Sequence, residues 1–198
     1  MKYFKLFLFL ILVSYQTSLT AYSSDPKEFV AELINDAIEK LSDKDLNKEQ
    51  KAEFISKVAL DNVDIKALGL YTLGELRKSS KKEYISKYQE VFELYFLKSL
   101  TSRLSDYSSS KIDIISAEKK SSNYTIVSSK VVPDDGNPEI KIDWRVYTKN
   151  PDKPLIRDLI VEGLSLARTQ KEEFASILSS NNNDISILIE KLEEFLNN

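Results

Sequence analysis

Residues 157–166 read Arg-Asp-Leu-Ile-Val-Glu-Gly-Leu-Ser-Leu, and the hydrophobic pattern changes its period within this stretch. Its first half continues an apolar, β-branched run from Leu155 to Val161 that predicts a strand. Helical apolar spacing begins after Gly163 and runs from Leu164 to Leu178. The stretch therefore predicts a strand that turns sharply into a helix, with a glycine where the turn needs unusual backbone dihedrals. Ser165, just after the turn, is expected to cap the helix or hydrogen-bond locally.

Three further strands are predicted before this one. Residues 112–117 alternate, Tyr124 to Val132 is β-branched and alternating, and Ile140 to Tyr147 has one apolar and one polar face. Turn-forming residues at 133–138 and 150–154 separate the later strands. These short connections predict an antiparallel meander of four strands.

Helical periodicity occupies both ends of the chain. On the N-terminal side, Asp25-Pro26 and Asn47 are predicted to begin helices, residues 61–64 interrupt the second of them, and Ser80 begins a long aromatic helix running to about Tyr107. On the C-terminal side, Asp184 is predicted to cap a final leucine-rich helix. The expected fold class is α+β: N-terminal helices, a small four-stranded antiparallel meander and C-terminal helices, enclosing an apolar cavity.

The first residues have the layout of a secretory signal peptide. Lys2 and Lys5 are followed by an unbroken apolar run and then by small polar residues. This apolar run is far shorter than the roughly 20 residues of a membrane-spanning helix. We expect a signal peptide over residues 1–23, cleaved after Ser23 or Ala21, and a single domain over residues 24–198. The absence of cysteine excludes a lipoprotein anchor and favours the bacterial periplasm over a disulfide-rich eukaryotic export route.

Composition excludes several classes of function. Without Lys2 and Lys5 the chain has 26 basic and 31 acidic residues, a net charge of −5, which argues against nucleic acid and against lasting adhesion to anionic membranes. There is no histidine for a catalytic triad or an imidazole metal site. Four glycines build no phosphate-binding loop. Asp158 and Glu162 are about 13 Å apart on an extended strand, too far for a glycosidase pair. We therefore expect no enzyme, no metal and no cofactor.

Four features follow one another along the chain. They are Leu73-Gly74 followed by Ser80 and a long helix with Tyr95 and Tyr107, the strand Asp143 to Tyr147, the stretch Asp158 to Leu166, and Phe174 followed by a polar loop and a leucine-rich helix. In these features the chain resembles the MlaC family, the toluene-tolerance auxiliary proteins, over about residues 27 to 196, and the resemblance depends most on the third feature. The chain departs from the family's pattern at Leu76-Arg77, where members often have a tryptophan, and at Gln170-Lys171, where they often have Tyr-Arg.

The resemblance implies a soluble periplasmic carrier of phospholipid and no enzymatic activity. Such proteins pass lipid between an outer-membrane lipoprotein complex and an inner-membrane ABC transporter complex, which maintains the lipid asymmetry of the outer membrane. Phospholipid would be a transported cargo. We expect a monomer that contacts membranes only transiently. The alternative is a periplasmic adaptor that recognises proteins and holds no lipid.

Acyl chains need aliphatic and aromatic walls, and the sequence offers ten candidates for these walls. They are Phe92, Tyr95, Phe96, Ile142, Trp144, Val146, Leu159, Val161, Leu164 and Phe174. The same residue types also fill ordinary cores. A phosphate group pairs well with guanidinium, so the candidates for the lipid head are arginines. These are Arg103, Arg145, Arg157 and Arg168.

Overall fold

The computed structural model describes residues 22–104, 110–133 and 138–198. Five helices come first, then five strands, then two helices. The helices are α1 Pro26–Ser42, α2 Lys48–Asn62, α3 Ile65–Thr72, α4 Leu76–Ser79, α5 Lys82–Leu104, α6 Leu166–Ser179 and α7 Ile185–Asn197. The strands are β1 Ser110–Ser121, β2 Tyr124–Pro133, β3 Ile140–Tyr147, β4 Leu155–Val161 and β5 Leu164–Ser165. The α+β class predicted from the sequence is confirmed.

Helices α1, α2 and α7 begin where capping residues satisfy their first backbone N–H groups. Asp25 accepts from Lys27 and Glu28 at α1, and Asn47 forms a capping box with Gln50 at α2. Asp184 caps α7 by accepting from the backbone of Ser186. The predicted interruption after α2 is also present, because α2 ends at Asn62 and α3 begins at Ile65.

The sheet is antiparallel throughout and its strands follow chain order, β1-β2-β3-β4-β5. The prediction of four strands is one short. Leu164 pairs with Val161 and Ser165 with Ile160, so a two-residue hairpin precedes the helix, which begins at Leu166. Both central residues of its turn have positive φ, 49° at Glu162 and 82° at Gly163, as a type I′ turn requires.

The two faces of the sheet have different neighbours. The inner face, defined by Val127, Val131 and Val146, packs against Phe29 and Val30 of α1. The outer face carries Ile126, Ser128, Asp143 and Arg145, which alternate with the buried positions. The N-terminal part of α6 packs on the outer face at β4.

A second hydrophobic cluster lies among the helices. It is formed by α3, α5, α6 and α7, with Tyr88, Phe92, Phe174 and Leu188 buried at its centre. Val63 contacts both this helical cluster and the cluster on the inner face of the sheet. The described residues therefore form two packed regions that meet near the α2–α3 junction.

Most of the predicted signal peptide, residues 1–21, lies outside the described residues, as do Tyr107 and most of the predicted turn at 133–138. Tyr22 is described, and its hydroxyl donates to Asp36 Oδ2 at 2.8 Å. Its ring meets Phe29 edge-on at 6.2 Å between centroids. No helix among the described residues is long and apolar enough to cross a bilayer.

Candidate functional site

One cavity, here called the apolar cavity, lies between α3, β4 and the start of α6 and has a volume of about 400 Å³. This volume falls within the roughly 300–1,000 Å³ of ordinary small-molecule sites. Its uncharged lining consists of Ala67, Leu68, Leu70, Tyr71, Tyr124 and Ala167. Its charged lining consists of Arg77, Arg145, Arg157 and Asp158. An apolar space with several arginines in its wall suits a ligand that has both an apolar part and an anionic group.

A second cavity, here called the polar trough, covers the outer face of the sheet from β1 to β4 and measures about 630 Å³. Serines and charged side chains line most of it. Tyr124 and Arg145 line both the trough and the apolar cavity. The two spaces therefore adjoin along these two side chains, with water-accessible polar surface on one side and apolar wall on the other.

The trough's other charges are largely paired. Lys120 pairs with Glu118, and Lys141 Nζ lies 3.1 Å from Asp143 Oδ2. Asp143 Oδ1 also accepts from Ser128 Oγ at 2.6 Å. The carboxylates in the trough therefore already have cationic partners.

All three nitrogens of the Arg157 guanidinium donate hydrogen bonds, and the group also contacts an aromatic ring. Its Nε and Nη2 donate to Asp64 Oδ2 at 2.8 and 2.6 Å, and its Nη1 donates to the Tyr124 hydroxyl at 2.9 Å. Its guanidinium lies 3.4 Å from the centroid of the Tyr147 ring. Burial alone lowers the pKa of Arg157, and the hydrogen bonds to Tyr124 and Asp64 more than offset it, so this pKa is raised. Arg157 holds α3 to the sheet.

A β-bulge explains why Arg157 and Asp158 share the apolar cavity although they are sequence neighbours. Successive strand residues normally point to opposite faces. The β3–β4 register shifts between Arg145 and Val146, so that Asp158 pairs with Arg145 while Ile156 pairs with Val146. Arg157 is the extra residue, and the bulge re-aims its side chain.

Asp158 is a buried carboxylate with complete hydrogen bonding. It accepts from Ser165 Oγ at 2.6 Å and from the backbone N–H of Ala167 at 3.0 Å. Ser165 in turn accepts from the Arg168 N–H and caps α6, which confirms its predicted local role. Arg145 Nη1 lies 3.6 Å from Asp158 Oδ2, a charge contact beyond hydrogen-bond length.

Two more cations lie at the α3–α4 side of the cavity. Arg77 Nη1 donates to the Gly74 carbonyl at 2.6 Å. Lys171 Nζ lies 5.2 Å from the centroid of the Tyr71 ring. Glu75 is bonded to Lys78 at 3.0 Å, and that bond is the main reason its pKa is lowered. Neither Arg77 nor Lys171 forms an ion pair within the described part of the chain.

The ten predicted lining residues fall into separate places. Phe92, Tyr95, Phe96 and Phe174 come together in the helical cluster, with ring centroids 5.9–6.3 Å apart. The sheet residues lie elsewhere: Ile142, Trp144, Val146, Leu159 and Val161 share the inner face by strand register. Leu164 is 60% exposed on β5.

None of the ten lines the apolar cavity or the polar trough. The link between the cavity and the predicted residues is Leu68, which lines the cavity and packs against the helical cluster. Assignment of the ten residues to a lipid site stays a prediction.

Two of the four predicted arginines, Arg145 and Arg157, line the apolar cavity. Arg103 is exposed and lines neither cavity, and Arg168 pairs with Glu172 at 3.0 Å. Sequence reasoning missed Arg77 and the α3 residues Leu68 and Leu70. No local signal marks them, because α3 reads as an ordinary apolar helix and its exposed side becomes a wall only beside β4 and α6.

Within residues 22–104, 110–133 and 138–198, no group of three or more metal-ligating side chains of the His, Cys, Asp and Glu types comes together.

Known proteins resemble this chain in sequence pattern and in fold. The family model described as MlaC protein matches residues 27–194. One similar solved structure is a phospholipid-binding protein from Ralstonia solanacearum in complex with a phospholipid. It superposes with a TM-score of 0.71 at 19% identity, covering 86% of this chain and 96% of that one. The comparison with curated proteins gives no match.

Proposed function

The chain belongs to the MlaC family, and from that membership we propose that it is a soluble periplasmic carrier of phospholipid. It would shuttle lipid between an outer-membrane lipoprotein complex and an inner-membrane ABC transporter complex, and so maintain outer-membrane lipid asymmetry. It would act as a monomer, without enzymatic activity or a cofactor. The fold it shares with a phospholipid-binding protein supports this proposal.

The observation that carries the proposal is the apolar cavity with arginines in its wall, in a member of this family. A phospholipid has roughly 30 methylenes, and exposing them to water at about 0.8 kcal/mol each costs more than roughly 20 kcal/mol. A carrier that offers walls as apolar as the bilayer removes most of this barrier. It needs shape and apolar surface and no reactive group.

The acyl chains would enter between α3 and α6 and extend past Leu68 toward the helical cluster. Leu68 packs against the helical cluster that contains Phe92, Tyr95, Phe96 and Phe174, and these four are the predicted residues best placed to border such a ligand. The inner face of the sheet is already covered by α1, with Val146 fully buried there.

Export by a cleaved signal peptide is part of the proposal. Of the two expected cleavage positions, the one after Ala21 keeps Tyr22 in the mature protein. Tyr22 packs with the inner-face cluster and bonds to Asp36. We propose that the mature chain begins at Tyr22, which the intact mass of the exported protein tests.

The first experiment is native mass spectrometry of protein purified from its host without delipidation, followed by organic extraction. We expect bound phospholipid at about one molecule per chain. A bare protein that also extracts no phospholipid from vesicles would contradict the carrier proposal and favour the protein-binding adaptor.

A matched pair of variants tests whether the acyl chains bind in the apolar cavity. Ala67→Phe fills part of the apolar cavity, whereas Ala175→Phe adds the same bulk on the exposed side of α6. We expect Ala67→Phe to lose at least half of the co-purified lipid and Ala175→Phe to keep it, with both variants folded by circular dichroism. Equal lipid content in the two variants would place the acyl chains elsewhere.

A further inference from the structure

The arginines around the apolar cavity differ in how many of their N–H donors are already used. Arg157 donates to Asp64 and Tyr124 and stacks on Tyr147, so its guanidinium is committed to the fold. Arg145 makes no hydrogen bond to any described residue, and its side chain is 45% exposed. A guanidinium whose N–H groups have no acceptor in the protein is well suited to bind a phosphate group through two parallel hydrogen bonds.

Asp158 does not accept a hydrogen bond from the N–H groups of Arg145. Its oxygens accept from Ser165 and Ala167, and Arg145 approaches only to 3.6 Å. The buried carboxylate attracts the guanidinium, and the hydrogen-bonding edge of Arg145 stays available to a ligand.

Arg145 lies where the boundary between the apolar tails and the polar head of a phospholipid would be. It stands on the wall common to the apolar cavity and the polar trough. A ligand with its tails in the cavity and its head in the trough would place its phosphate, which joins the two, beside this side chain.

The balance of charge indicates the kind of head group. At the cavity, Arg157 is neutralised by Asp64 and Arg145 only loosely by Asp158. Arg77 and Lys171 add further positive charge, which nearby Glu75 offsets only in part because its carboxylate is already bonded to Lys78. In the trough, Glu118 and Asp143 are already paired with lysines, so an ammonium group finds no free carboxylate there. The site therefore favours a net negative ligand over a zwitterionic one.

Resting on the proposed carrier function, we propose that Arg145 binds the phosphodiester of the cargo and makes the site prefer anionic phospholipid over zwitterionic phospholipid and over uncharged diacylglycerol. Arg77 adds positive potential at the same cavity, and Arg157 is a structural residue.

The test measures equilibrium binding of fluorescently labelled phosphatidylglycerol, phosphatidylethanolamine and diacylglycerol, each supplied in phosphatidylcholine vesicles. We expect wild-type protein to bind phosphatidylglycerol most tightly. Arg145→Gln should weaken phosphatidylglycerol binding by about tenfold, the effect of one charge-assisted contact, and leave diacylglycerol binding within twofold. Arg145→Lys should recover part of the lost phosphatidylglycerol affinity, because lysine restores the positive charge without the paired N–H donors of a guanidinium.

Arg103→Gln is the matched control, because it removes an exposed arginine that lines neither cavity. It should leave binding of all three lipids unchanged. If Arg145→Gln weakens phosphatidylglycerol and diacylglycerol equally, or neither, or if wild-type protein shows no preference for phosphatidylglycerol, the inference is overturned while the carrier function stands. If wild-type protein binds none of the lipids, both fail.

A final arm separates a lipid head group from free phosphate. Inorganic phosphate alone, titrated by calorimetry into wild-type protein, should show no saturable binding, because the apolar cavity supplies most of the affinity for a lipid. Saturable phosphate binding that Arg145→Gln abolishes without changing phosphatidylglycerol binding would overturn the lipid assignment.

Discussion

The two faces of the sheet are built from the same four long strands and serve different purposes. On the inner face, Val127 and Val146 are fully buried beneath Phe29 and Val30 of α1. On the outer face, Arg145 and Tyr124 separate a polar trough from an apolar cavity. The inner face is covered by α1, and the outer face borders both cavities. Apolar alternation along these strands therefore identifies the covered face and does not indicate the two cavities, which residues of the other face line.

The largest expected effect tests the stabilising role of the inner face. Phe29→Ala removes a buried ring between α1 and the sheet and should lower the free energy of unfolding by about 3–5 kcal/mol. Ile126→Ala on the outer face is the control and should cost under about 1 kcal/mol, because Ile126 borders the trough. Urea unfolding of both variants measures the contrast, and equal costs would remove the distinction between the faces.

The next effect concerns α3, the helix that walls the apolar cavity. Gly69 lies against Phe92, and a Cβ at this position would be 2.9 Å from Phe92 Cδ1. Gly69→Ala should lower the free energy of unfolding by about 1–2 kcal/mol, because overpacking exceeds the gain in helix propensity.

A double variant identifies the cause of that loss. Phe92→Leu makes room beside residue 69, so the cost of adding Gly69→Ala should be smaller in the Phe92→Leu background. Additive costs in the urea-unfolding cycle would show that the α3–α5 contact does not depend on this close approach.

A smaller effect tests the connection between α3 and the outer face. Asp64→Asn weakens the bonds to Arg157 while asparagine still caps α3. We expect a loss of about 1 kcal/mol, or roughly 2–4 °C in Tm. Glu172→Gln, which breaks the exposed pair with Arg168, should cost under about 0.5 kcal/mol. A thermal melt in which both variants match wild type would show that the Asp64–Arg157 pair does not stabilise the protein.

Much of the fold was predictable because its signals are local. Asp25, Asn47 and Asp184 cap helices at the expected positions, and Gly163 forms the expected turn with φ of 82°. The strand count was one short because a two-residue strand carries no periodicity of its own. Helical spacing places Phe92, Tyr95 and Phe96 close together on α5, whereas their contact with Phe174 of α6 depends on tertiary packing.

The residue types of the candidate site could be predicted from the sequence, but their arrangement could not. Arginines were expected near an apolar space, and Arg145 and Arg157 are there. Strand alternation would place Arg157 and Asp158 on opposite faces, and the bulge that brings them together has no local signature. The partner of Arg157, Asp64, lies 93 residues away in the chain.

Most of the elements, several of their caps, the sharp turn at Gly163 and the resemblance to the MlaC family could be predicted from local patterns, because propensity, periodicity and turn chemistry act within a few residues. The packing of distant segments was needed to show that α1 covers one face of the sheet, and that α3 and α6 wall a cavity beside Arg145 on the other. Those outcomes depend on contacts between distant segments, whose free energies no local pattern records.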